Sequence, residues 1–85
     1  MIERIKELAS YLMPIPEMAV LVGIDEDELR EVIADKSSEV SKAYHLGKAE
    51  TILEIRKQEV QLAKTGSPVA LENIAKYIID QAHSE

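Results

Sequence analysis

Few residues in this 85-residue chain have the type and spacing for covalent or metal chemistry. His45 and His83 are the only histidines, cysteine is absent, and no second imidazole or thiolate stands at a metal-ligand interval from either histidine. No serine sits in a strand-turn-helix elbow, and no glycine-rich loop could cradle a phosphate. The densest chemical feature is the acidic run Asp25, Glu26, Asp27, Glu28. It lacks the alternating Asp/Asn and glycine pattern of a calcium loop. Acids at a helix start interact favourably with the helix dipole, and that is the simpler account of them. The chain reads as non-enzymatic, with no catalytic residue, metal or cofactor.

What remains is non-covalent chemistry. Arg30, Lys36, Ser37, Ser38 and Lys42 follow the acidic run and could donate to phosphate oxygens. Each is individually more readily a solvated surface residue. The net charge is -6, and the window Pro14 to Val40 alone accounts for it, with eight acids against Arg30 and Lys36. Double-stranded DNA is therefore expected to be held weakly per subunit, with avidity from a homo-oligomer.

The elements that would position these groups are helical throughout. Ile2, Ile5, Leu8, Ala9 and Leu12 recur at helical spacing, so residues 2 to 12 form a first helix, ended by Pro14. Pro16 opens a second short helix with Met18, Ala19 and Val22 inward. Gly23 then permits a tight turn. Ile24 and Asp25 introduce a third helix, Glu26 to Asp35, with Leu29, Val32 and Ile33 inward. Asp25 and Glu28 resemble a capping box. Small Ala19, turn-forming Gly23, and apolar Ile24, Leu29 and Val32 have helix-turn-helix spacing.

Ser37 or Ser38 can cap a long fourth helix, about Glu39 to Lys64, whose apolar residues fall on two arcs. One arc holds Leu46, Ala49, Ile52, Leu53, Val60 and Ala63; the other holds Val40, Tyr44, Ile55 and Leu62. Such a helix has two surfaces to bury. Gly47 costs about 1 kcal/mol relative to alanine within a helix and suits close approach of another helix. Thr65 and Gly66 stop this helix, Ser67 caps the next and Pro68 begins it. Leu71, Ile74, Ala75, Ile78 and Ala82 form its apolar stripe, with Ile79 and Tyr77 off it and Glu72 to Lys76 a favourable pair. The expected architecture is all-α: a three-helix helix-turn-helix head over 1-36, then a long antiparallel helical hairpin over 37-85. Tyr44, Gly47, Ile55, Leu62 and Ile79 are the residues expected to serve oligomerisation.

The motif AVLVGIDEDELREVI, followed by KAYHLGKAE and LAKTGSPVALENI, resembles the small terminase subunits of tailed bacteriophages over roughly residues 15 to 80. That resemblance implies a non-catalytic subunit that binds viral DNA, assembles through its hairpin, and regulates a separate large terminase-type ATPase in a bacterial or phage-infected cytoplasm. The chain departs from the pattern in its acidic recognition helix and in having little sequence beyond the hairpin. A contrasting expectation is an acidic protein-interaction module on the same scaffold, meeting a basic protein and not DNA. No apolar run reaches membrane-spanning length, so no membrane partner is expected.

Overall fold

The computed structural model describes residues 1–84, and every regular element among them is an α-helix. In order these are α1 (Ile2–Ser10), α2 (Ile15–Val22), α3 (Glu26–Ala34), α4 (Glu39–Lys64) and α5 (Pro68–Ser84). No helix is long and apolar enough to cross a membrane. The chain divides into two compact units, Met1–Ile52 and Leu53–Glu85. The division falls inside α4, well beyond the break at residue 36 read from the sequence. The reason lies in packing: the first turns of α4 complete the core of the first unit.

That core holds Ile5, Leu8, Ala9, Met18, Ala19, Leu29, Ile33, Val40, Ala43 and Tyr44, with Met13, Ile15, Val22, Ile24 and Val32 packed around it. Ile5, Met18 and Leu29 are fully buried, and burial of each such side chain is worth about 1.5–3 kcal/mol. Gly47 brings α4 against α1. A Cβ added at Gly47 would stand 3.1 Å from the Ala9 Cβ and 3.2 Å from the Lys6 carbonyl carbon, and closer still to the Lys6 carbonyl oxygen. Thr51 Oγ1 donates to the Ser10 carbonyl along the same contact, and Lys6 Nζ lies 3.9 Å from Glu50 Oε1.

The first helix stops earlier than the proline rule predicts. It ends at Ser10, and Leu12 turns the chain with φ 58°. Leu12 N–H donates to the Ala9 carbonyl at 2.9 Å and Met13 N–H to the Leu8 carbonyl at 3.3 Å. This pair of bonds is a Schellman closure, normally formed around glycine. Gly66 (φ 92°) closes α4 in the same way, and Gly23 (φ 82°) closes α2 with both its own N–H and that of Ile24 donating to the Ala19 carbonyl. The Ile24 N–H donates to Ala19 and the Ser67 N–H to Leu62, each at 3.1 Å.

In the second unit α5 runs alongside the C-terminal half of α4. Asn73 Nδ2 donates to Glu59 Oε2 at 3.3 Å, and the Arg56 guanidinium lies over the Tyr77 ring, 4.4 Å from its centre. Pairing of 59 with 73 and of 56 with 77 is antiparallel. Ala70 is the one buried residue on α5. The expected Glu72–Lys76 pair does not form among the described residues. Both side chains are exposed, where such a pair gains a few tenths of a kcal/mol.

Candidate functional site

Two surfaces carry the residues singled out in the sequence. The first surrounds α3. Asp25 caps this helix: its Oδ2 accepts from the Asp27 N–H at 3.0 Å and the Glu28 N–H at 3.3 Å. The inner face, Leu29 and Ile33, packs against Met18 and Ala19 of α2. The outer face exposes Glu26, Asp27, Glu28, Arg30, Glu31 and Ala34. One of the five N–H donors of Arg30 is engaged here, its Nε donating to Glu26 Oε2 at 3.0 Å. The carboxylates therefore dominate this face at neutral pH, and Arg30 is partly neutralised.

The α3–α4 turn gives its serines definite roles. Ser38, and not Ser37, caps α4: its Oγ accepts from the Ser41 N–H at 3.0 Å and donates to the Val32 carbonyl at 2.8 Å. Ser37 instead serves Asp35. Its hydroxyl (2.6 Å) and its backbone N–H (3.1 Å) both donate to Asp35 Oδ1. The hydroxyl bond first, and the backbone bond second, hold the Asp35 carboxyl below the usual aspartate range. Ser37 and Ser38 are thus occupied with the turn, which removes them as ready phosphate donors.

Lys36 and Lys42 are brought together. With Ser41 and His45 they line an open recess of about 330 Å³ at the end of α3. Lys42 Nζ is 3.7 Å from Glu39 Oε1, while Lys36 makes no ion pair among the described residues. Ser41 is 1% exposed and donates to the Ile33 carbonyl at 2.7 Å. His45 Nδ1 lies 2.8 Å from the Ser41 carbonyl oxygen. A carbonyl only accepts, so this nitrogen carries the proton and Nε2 is the nitrogen left to meet a ligand. Sequence reasoning passed over Ser41 and His45 in this role. The available signal was their i, i+4 spacing on either side of Lys42.

The second surface belongs to residues 53 to 84. Leu53, Leu62, Leu71, Ile78 and Ile79 are each more than half exposed, and Ile55 is 41% exposed. The row turned toward α5 is Arg56, Glu59 and Ala63, matched on α5 by Ala70, Asn73 and Tyr77. At about 100° per residue, Leu53 and Val60 lie to one side of that row on α4, and Leu71, Ile74 and Ile78 to one side of it on α5. The antiparallel direction makes these the same side. One apolar face is therefore formed by both helices, and Ile55 and Leu62 lie on the other. Most of the apolar stripe of α5 stays exposed (Leu71, Ala75, Ile78 and Ala82), while Ala70 is buried and Asn73, Ile74 and Tyr77 are half-buried.

The five residues expected to serve assembly are split by the fold. Tyr44 is buried in the core of the first unit, with its ring centre 5.1 Å from that of His45, the two planes near perpendicular, and with Lys48 Nζ 5.1 Å from its centre. Gly47 receives α1 of the same chain. Ile55, Leu62 and Ile79 stay exposed. Among the described residues no group of three or more His, Cys, Asp or Glu is placed to hold a metal ion. No family model matches the chain, and neither curated proteins nor solved structures show significant similarity to it.

Proposed function

We propose that this chain is a non-catalytic, self-associating DNA-binding subunit of the small-terminase kind. In this reading α1–α3 with the start of α4 make a helix-turn-helix head, and α4 with α5 makes an assembly hairpin. The observation that carries the proposal is the α2–Gly23–α3 corner. Ala19 and Leu29 are buried at the crossing, Gly23 turns the chain, and α3 keeps a full outer face in solvent. Lys36 and Lys42 share one recess where α3 ends, and Arg30 stands on the outer face. With acids ahead of these bases, one subunit holds DNA weakly, so several heads must act together. The exposed apolar face Leu53, Val60, Leu71 and Ile78 provides the surface for that association. A separate large ATPase subunit of the terminase kind is the partner this reading assigns.

The test couples light scattering to duplex-DNA binding at several salt concentrations. A multi-subunit mass, and affinity that falls linearly in log-log form with salt, are expected. Replacing both Arg30 and Lys36 by alanine is expected to lower both affinity and salt slope. A strict monomer with no salt-dependent DNA binding overturns the proposal.

A second reading has its own observation: Glu26, Asp27 and Glu28 are exposed together, and Glu26 holds Arg30. That face suits a basic protein partner. Neutralising these three acids abolishes partner binding in this reading, whereas in the first it strengthens DNA binding.

A further inference from the structure

The Lys36–Ser41–Lys42–His45 recess has features that a purely solvated surface does not need. In a chain with sixteen acids and ten bases, its lining contains no carboxylate. The two nearest acids in sequence are already engaged: Asp35 with Ser37, and Glu39 with Lys42. Lys36 comes from the turn and Lys42 from α4, so the cations reach the recess from two segments. His45 is held in one tautomer by the Ser41 carbonyl, and Ser41 is itself held by the Ile33 carbonyl of α3. The imidazole is thereby tied to the end of α3 through a buried serine. Its ring also packs perpendicular to that of Tyr44.

We propose that this recess is an oxyanion site for a phosphate group, with Lys36 and Lys42 as fixed cations and His45 Nε2 as a proton-coupled ligand. Neutral, Nε2 can only accept a hydrogen bond; protonated, it donates one to a phosphate oxygen. The charged groups that share the recess with His45 are Lys36 from the turn and Lys42 from its own helix. A bound phosphate favours the protonated ring, so binding and protonation are linked: affinity falls as pH rises, about tenfold for each unit by which phosphate moves the His45 midpoint. The assignment of the phosphate to a DNA backbone rests on the function proposed above, while the oxyanion chemistry does not.

The experiment follows the His45 ring signals of the full chain by NMR over pH 5 to 8.5, with His83 as internal reference. It is run alone, with inorganic phosphate, and with a short duplex DNA. Phosphate is expected to move the His45 midpoint up and leave His83 in place, and Lys36→Gln, an exposed change, is expected to reduce the shift several-fold. If the duplex also moves His45, the site takes backbone phosphate. If phosphate moves His45 but the duplex does not bind, the oxyanion site stands and the DNA reading falls. If the duplex binds and shifts α3 signals without moving His45, the oxyanion site is refuted and the DNA reading stands. No shift with either probe refutes the site.

Discussion

Replacing Gly47 by alanine sets two effects of known sign against each other. Alanine is the better helix former by about 1 kcal/mol, and an isolated helix would gain that amount. Here the added methyl would meet the α1 backbone, at 3.1 Å from the Ala9 Cβ, 3.2 Å from the Lys6 carbonyl carbon, and nearer to its oxygen. None of these atoms is the far end of a flexible side chain. The helices must separate by some tenths of an ångström or more. Overpacking of this kind costs about 1–3 kcal/mol, and contact with backbone belongs in the upper part of that range. Separation also stretches the Thr51–Ser10 bond, worth about 1 kcal/mol. The difference is a net loss of about 1–3 kcal/mol, which for a chain of this size lowers Tm by about 4–24 °C. Thermal and urea unfolding by circular dichroism, repeated across protein concentrations to separate assembly from folding, would measure it. Ala49→Gly, at an exposed site on the same helix, calibrates the propensity term. A Gly47→Ala protein as stable as the parent, or more stable by the propensity gain, would refute the close α1–α4 approach.

Two further outcomes follow from single residues. Leu12 holds a left-handed conformation that costs a non-glycine residue about 1–2 kcal/mol, and its side chain is 45% exposed. Leu12→Gly is therefore expected to be neutral or stabilising by up to about 1 kcal/mol in urea denaturation, whereas Leu12→Val should destabilise. Asp35 has its pKa depressed in the folded chain, so its contribution to stability is present above the unfolded pKa and is lost as pH falls below about 4, through the folded value. Ser37→Ala removes the stronger of its two donors. Its carboxyl NMR titration should move upward, and the variant should lose less stability than the parent between pH 5 and pH 3.

Local chemistry made much of the fold legible. Asp25 at the start of α3, Gly23 and Gly66 at αL closures, and Pro68 at the start of α5 act within a few residues of themselves, so their effect is written in the chain. The inward residues of α2 and α3 were legible for a related reason, since each short helix has a single apolar face. Leu12 shows where local rules lose. Nothing about leucine announces a left-handed closure, and the turn forms because Met13 and Ile15 must reach the core beyond it.

Tertiary structure decided how α4 spends its two apolar arcs. Both arcs look alike along the sequence, yet Val40 and Tyr44 are buried while Ile55 and Leu62, on the same arc, are exposed. The arc is read by different neighbours at its two ends: the α1–α3 core at the first, α5 at the second. The same holds for the site. Lys36 and Lys42 were candidates by type alone, but only folding joined them to His45 and diverted Ser37, Ser38 and Arg30 to internal partners. Apolar periodicity, with the proline and glycine stops, was enough to mark the chain as helical. The polar groups are engaged by partners two to six residues away, whereas which apolar side chains of α4 stay exposed depends on helices far apart in sequence.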